Sequence, residues 1–334
     1  MEQRLLIFFF FSLNLAIAGY SFFADFDGFD KGKGQLGKEK KKARSFFKKI
    51  KYYSLSDAIP QLDLVADELI LVDGNSEITF FSPVGVSYGT DGRELKFSGK
   101  LGRYTQKDQL LTISKGAHLY NESTDLKCVN ATYLAANETA ICEEDVVSKS
   151  VSPRTGDKLD VNADYLKSEL NKQITTYKGN VKGKVTRKRK YEYPINFKAD
   201  QAQVNLVNSI VNLNDNVSLK QQGVTATSRR GEIYLENYNK KLKYFVLSDD
   251  VVVREKVIVQ EPEGPREFLR RALSERLEGV TSEEILVLTG YPKVYQMDDV
   301  IRGNRIILRR DSELVEVEDA NTLFYMNNKD GNKK

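Results

Sequence analysis

The residues able to do chemistry in this chain are few, and their spacing argues against catalysis. There is one histidine, His118, and there are two cysteines, Cys128 and Cys142. A serine or cysteine nucleophile would depend on His118 as its base, and the usual zinc ligand sets cannot be assembled from these residues. His118 lies in the strand-like run Ile113–Tyr120 and is expected to be a structural or surface histidine. The acid groups Glu143-Glu144-Asp145, Asp249-Asp250 and Asp298-Asp299 have the composition of glycosidase carboxylates or calcium ligands. Two of them fall at a recurring position where Gly179-Asn180 and Asp215-Asn216 stand in elsewhere. Interchange of acids with Gly and Asn indicates turn chemistry rather than proton transfer. Arg187-Lys188-Arg189-Lys190, followed by Tyr191 and Tyr193, has the makeup of a single-strand nucleic-acid patch, but reads better as an exposed loop between strands. No catalytic residue, metal, cofactor or nucleic-acid partner is expected.

The elements that hold these residues repeat. Glu144-Asp145-Val146, Gly179-Asn180-Val181, Asp215-Asn216-Val217 and Asp249-Asp250-Val251 recur with 35, 36 and 34 residues between the valines. Each is a turn-forming pair followed by a β-branched residue. An upstream partner recurs as Ala131-Thr132-Tyr133, Ala163-Asp164-Tyr165, Ala199-Asp200-Gln201 and Ala226-Thr227-Ser228. A fixed period of this length implies one supersecondary unit used several times, with neighbours sharing a core. Within the units apolar and polar residues alternate: Tyr177, Val181 and Val185 against Lys178, Lys182 and Lys184, and Val211, Leu213, Val217 and Leu219 against Asn212, Asn214, Asn216 and Ser218. Period-2 alternation predicts antiparallel strands with one dry and one wet face, and hence an all-β fold. One interruption is expected, a short amphipathic helix or lid within Glu261–Leu277, centred on 266–277, built from Phe268, Leu269, Ala272, Leu273 and Leu277.

The N-terminus reads as an export segment. Arg4 precedes the apolar run Leu5–Ala18, and Ala16-Ile17-Ala18 has the small-x-small form of a cleavage site. Extended to Phe23 the run has 19 uncharged residues, enough to span a bilayer. Residues 1–23 are therefore a cleaved signal or a retained single anchor. Residues 24–61 form a basic tether. Lys31–Lys51 carries nine lysines and Arg44 against Glu39, and Phe46, Phe47, Ile50 and Tyr53 are spaced for an amphipathic helix that would lie on an anionic membrane surface or act as a solvated linker. In an exported chain, Cys128 and Cys142 flanking a hairpin suggest a cross-strand disulfide, with two free thiols as the alternative.

The C-terminal part resembles the OstA-like β-jelly-roll proteins of lipopolysaccharide export, specifically their LptA-like members. The resemblance is carried by Ala163-Asp164-Tyr165 leading to Tyr177–Val181, by Lys198-Ala199-Asp200 leading to Asp215-Asn216-Val217, and above all by Leu286–Val294 with Asp298–Gly303 and the closing strand Leu314–Ala320. The stretch Leu64–Glu122 resembles the LptC-like members, through Ile78–Pro83, Leu95–Tyr104 and Leu110–Tyr120. The expected divisions are an LptC-like jelly roll over 62–150, an LptA-like jelly roll over 151–326 and a polar tail over 327–334.

The resemblance implies a periplasmic, non-catalytic conduit in which acyl chains of lipopolysaccharide lie in the groove of a twisted jelly roll. It further implies partnership with an inner-membrane ABC transporter complex and edge-to-edge stacking on other OstA-like jelly rolls. The groove candidates are Tyr177, Val181, Val211, Leu213, Val217, Leu219, Val251, Leu288 and Val294. The docking candidates are the terminal strands Leu64–Val72 and Leu314–Ala320, expected to offer free edges. Two rival readings are an exported β-solenoid scaffold or adhesin with a dry core, and a carbohydrate-active β-helix enzyme.

Overall fold

The structure, a computed structural model, describes residues 44–319 apart from 57, 73–76, 90–91, 153–155, 189–192, 236–242, 263, 281–283 and 310–311. The expected signal or anchor, the tether as far as residue 43, Ala320 and the polar tail lie outside the described residues.

The described chain is antiparallel strand almost throughout. β1 (Arg44–Ser56) runs along β2 (Ile59–Val72) from Arg44↔Val72 to Ser56↔Ile59. There β2 forks: Glu68–Leu71 pairs with β3 (Glu77–Phe81), while Leu62–Val65 pairs with β4 (Val84–Tyr88). Two sheets start from this fork. Short strands fill them in turn: β5 (Glu94–Ser98), β6 (Leu101–Thr105), β7 (Leu110–Ser114), β8 (Ala117–Tyr120), β9 (Thr124–Cys128) and β10 (Asn130–Leu134). Sheet A takes the order β3-β6-β7-β10, and sheet B takes β4-β5-β8-β9.

The sheets then share their strands. β11 (Thr139–Val151) pairs with β10 through its first half and with β9 through its second. β12 (Lys158–Glu169), β13 (Ile174–Thr186), β14 (Ile195–Asn205), β15 (Ile210–Gln221), β16 (Val224–Tyr234), β17 (Lys243–Glu261) and β18 (Gly264–Val280) follow as successive hairpin neighbours, each crossing from one sheet to the other at mid-length. At β18 the sheets separate again. β19 (Ile285–Thr289), β22 (Arg305–Arg309) and β23 (Val315–Glu318) close sheet A, and β20 (Lys293–Gln296) and β21 (Asp299–Arg302) close sheet B. The inner faces enclose one hydrophobic core along the body, so the architecture is the twisted β-jelly roll of repeated strands that the sequence predicts.

The repeated phrase is the crossing point. Glu144 and Asp145, Gly179 and Asn180, Asp215 and Asn216, and Asp249 and Asp250 all have positive φ, and the ladder register jumps at each pair. Two successive left-handed residues redirect a strand from one sheet to the other, and Gly, Asn and Asp tolerate that conformation best. The facing strand skips Ala163-Asp164, Ala199-Asp200 or Ser228-Arg229. Side chains stitch the corner: Asn180 Nδ2 donates to Asp164 Oδ2 at 2.7 Å, Asn216 Nδ2 to Asp200 Oδ2 at 2.6 Å, and Arg229 pairs with Asp250 at 2.7 Å. The period near 35 residues is therefore one kinked hairpin with its turns. Gly179→Val should cost about 2–3 kcal/mol in urea unfolding, because a β-branched residue resists φ +74° and its Cβ would sit 2.5 Å from Asp164 Oδ2.

Two helical expectations are corrected. Residues 266–277 lie in β18, with Arg270, Ala272 and Ser274 turned inward at strand period. Residues 46–53 lie in β1, where Ile50 and Tyr52 turn inward and the Tyr52 ring meets Phe80 at 5.4 Å. In both cases an adjacent long strand offers a row of unpaired backbone groups. Satisfying that row outweighs a local helical preference of tenths of a kcal/mol per residue.

Cys128 of sheet B and Cys142 of sheet A are joined by a disulfide with Cα atoms 5.9 Å apart, beside the Glu144-Asp145 kink. The bond staples the two sheets at their shared corner. Replacing both cysteines with alanine should lower stability by about 3 kcal/mol, the loop-entropy scale for a ring of this size. The shift should be read as a lower urea midpoint, matched by the native chain under reductant.

Candidate functional site

Between the sheets, in the N-terminal half of the body, lies a cavity of about 230 Å³. Sheet B supplies Leu95, Leu119 and Leu126 to its walls, and sheet A supplies Tyr133, Leu166, Tyr177 and Val204. The void has a sequence cause. Ala140, Ser148, Ser150, Ser168 and Thr175 line this space, whereas further along the body comparable inward positions carry Val211, Leu213, Val217 and Leu219. Small side chains on facing strands leave room that aliphatic ones would fill.

Tyr177 crosses the space from sheet A, its hydroxyl donating to Ser148 Oγ of sheet B at 3.0 Å. Burial pushes this phenol up to about 12, a rise that the Ser148 hydrogen bond opposes, so Tyr177 stays neutral at physiological pH and presents an apolar ring to the cavity. At the open side, away from the kinks, Arg93 Nη2 donates to Glu138 Oε2 at 2.9 Å and Arg93 Nη1 to the Leu170 carbonyl at 3.1 Å. Arg93 precedes β5 of sheet B, whereas Glu138 and Leu170 belong to hairpins of sheet A, so the guanidinium closes the gap between the sheets.

Two further arginines make the same crossing deeper in the protein. Arg187 donates to Asp157 Oδ2 at 2.8 Å and to the carbonyls of Leu235 and Tyr234. Arg270 donates to Glu255 Oε2 through Nη2 at 2.7 Å, and to the carbonyls of Ser312 and Arg309 at 3.0 Å each. The basic run between β13 and β14 thus begins with a buried structural arginine, whereas Lys188 and Tyr193 are exposed, as expected of a loop between strands; residues 189–192 lie outside the described residues.

Of the groove candidates, Tyr177 is on the cavity wall. Val181, Val211, Leu213, Val217, Leu219, Val251, Leu288 and Val294 are all buried in the same core but are not among the walls of this cavity. Leu95, Leu119, Leu126 and Leu166 were missed, although they share the inward parity of their strands. What singles them out is the small residues opposite, a relation between strands rather than along one. The docking edge at Leu64–Val72 is corrected. β2 is covered by β1 on one side and by β3 and β4 on the other, with Leu64 facing both Tyr52 and Gly85. At the far end, β23 pairs on one side with β22 among the described residues, and Leu314 is exposed just before it. His118 Nε2 lies 3.1 Å from Asp125 Oδ1, its ring stacked on Tyr120 at 4.7 Å. It is a partly exposed histidine serving the sheet surface.

Comparisons with known proteins bear on this arrangement. The family described as Lipopolysaccharide-assembly, LptC-related matches residues 11–186. The family described as LptA/(LptD N-terminal domain) LPS transport protein matches residues 196–314. A solved structure of LptH from Pseudomonas aeruginosa, described as the LptA homologous periplasmic component of the lipopolysaccharide transport device, aligns with 16% identity and a TM-score of 0.33 over 38% of this chain and 83% of that one. No curated protein matches.

Proposed function

Because this chain belongs to the LptC-related lipopolysaccharide-assembly family, we propose that it is a non-catalytic carrier element of that assembly, sheltering acyl chains between its sheets while the sugars remain in water. The observation that carries this reading is the apolar cavity between sheets A and B. Each methylene moved from water into such a space contributes roughly 0.8 kcal/mol, so a few carbons give useful affinity without a cofactor. The scaffold or adhesin reading has no counterpart in either matched family.

The finer assignments extend the same reading. In this reading residues 1–23, as a cleaved signal or a single anchor, carry the body to the periplasm, and an inner-membrane ABC transporter complex supplies the energy for movement. Neighbouring jelly rolls dock on the outer edge of β1 and on β23, whose outer backbone groups are unpaired among the described residues and suit strand addition. The exposed Phe46 and Phe47 beside Lys48, Lys49 and Lys51 give the β1 edge an apolar and basic character suited to the adjoining membrane surface. The buried row Val181, Val211, Leu213, Val217, Leu219, Val251, Leu288 and Val294 is the route along which an acyl path would continue.

A photocrosslinking side chain at Thr175, on the cavity wall, should yield an energy-dependent lipopolysaccharide adduct in cells. A second probe at Val217 measures the reach of the path. Adducts at both sites extend it along the core, and an adduct at Thr175 alone confines it to the cavity. A folded, exported protein giving neither would sink the carrier reading.

A further inference from the structure

We propose that Arg93 selects an anionic head group for the cavity, exchanging Glu138 for the ligand's anion as the acyl chain enters; this rests on the cavity being an acyl site. Three arginines bridge the open side of the sandwich, and they differ in exposure. The side chains of Arg187 and Arg270 are 4% and 1% exposed, whereas that of Arg93 is 51% exposed. The first two are sealed in the core. Arg93 has its outer half in water, and it is the one of the three that lies on the cavity wall.

Its partner is placed for an exchange. The Glu138 side chain is only 5% exposed, and it is paired with the half-exposed Arg93 guanidinium at 2.9 Å. Arg93 is also the sole cation among the charged residues on the cavity wall, the others being Glu94 and Glu138. A chain entering between the sheets on this side must displace the bridge. An amphiphile with a carboxylate or phosphate head can then replace the Glu138 contact with an equivalent charge-assisted pair. A neutral head cannot, and leaves the arginine without that compensation. Empty, the clasp is closed; loaded with an anionic amphiphile, it is held open by its own ligand.

The chain contains no tryptophan, so Leu206→Trp on the cavity wall gives a single fluorescent reporter. Two probes share one brominated twelve-carbon chain, which quenches tryptophan on contact: a carboxylic acid, ionised at about pH 8, and the matching alcohol. With Arg93 and Glu138 intact, the acid should bind about tenfold more tightly than the alcohol, the scale of one charge-assisted hydrogen bond. Arg93→Gln should erase that difference. Glu138→Gln, which keeps the shape but removes the competing charge, should speed loading by the acid. Absence of quenching by either probe would remove the cavity as an acyl site, and with it the observation on which the carrier reading rests. Quenching by both with equal affinity while the clasp is intact would overturn the role of Arg93 alone, and needs no clasp variant to fold. A preference that survives in folded Arg93→Gln, or a loading rate unchanged by Glu138→Gln, would overturn it equally.

Discussion

Arg270→Met is expected to lower the unfolding free energy by about 3–5 kcal/mol, the cost of stranding one member of a buried ion pair. The Arg270 side chain is 1% exposed and that of Glu255 is 4% exposed. Nε and Nη2 both reach Glu255 Oε2, at 3.1 and 2.7 Å, and Nη1 reaches the Ser312 carbonyl. Removing the guanidinium leaves a buried carboxylate without this partner, and also takes a donor from the carbonyls of Ser312 and Arg309. Gln296, whose Nε2 donates to the Glu313 carbonyl at 3.0 Å, and the more exposed Arg266–Glu313 pair would remain to hold the segment. Adding Glu255→Leu should restore much of the loss, since an apolar pair of similar volume often equals a buried ion pair. Equilibrium urea unfolding of the two single variants and the double variant closes the cycle. If Arg270→Met cost less than about 1 kcal/mol, the pair would be behaving like an exposed one, and the sheets would be held at this end by packing alone.

Ala140→Phe should abolish the carrier activity while leaving the fold intact. Ala140 is buried and its methyl faces the cavity. A benzyl group enters space that is already empty, so the strain that overpacking causes in a filled core, typically 1–3 kcal/mol, should be largely absent. If the ring displaces about four methylenes of a bound chain, binding falls by roughly 3 kcal/mol, more than a hundredfold. Lipid binding and a thermal melt on the same preparation separate the outcomes. Lost binding with an unchanged melt is the expected pair. Retained binding would place the acyl chain outside this cavity, with the buried row from Val181 to Val294 the next place to probe.

The fold was legible because its signals are local. Glu144-Asp145, Gly179-Asn180, Asp215-Asn216 and Asp249-Asp250 announce a backbone state through residue type alone, and the alternation around them gives strand and face. The Cys128–Cys142 disulfide is one of the two readings that their placement left open. The errors fell where a local preference competed with a distant demand. Phe268, Leu269, Ala272, Leu273 and Leu277 are good helix residues, yet β17 leaves its edge open beside them, and Phe46 to Tyr53 met the same fate beside β2. The site was less legible still. Tyr177, one of the groove candidates, does line the cavity, but Arg93, Glu138, Leu126 and Leu166 come together only when hairpins 30 to 80 residues apart are laid face to face, as the separations of 45 and 77 residues across the Arg93 bonds illustrate.

By itself, then, the sequence determined the all-β class, the kinked repeat, the inward faces and the family, because period, φ preference and motif order belong to single segments. Tertiary structure decided that residues 44–56 and 264–280 are strands, that Arg187 and Arg270 are buried, and that a cavity opens at Ala140, Ser148 and Ser168. Those outcomes depend on which side chains oppose one another across two sheets. A large residue on one strand and a small one on its neighbour look alike in alternation, and only their register across the core fixes whether the space between them is filled.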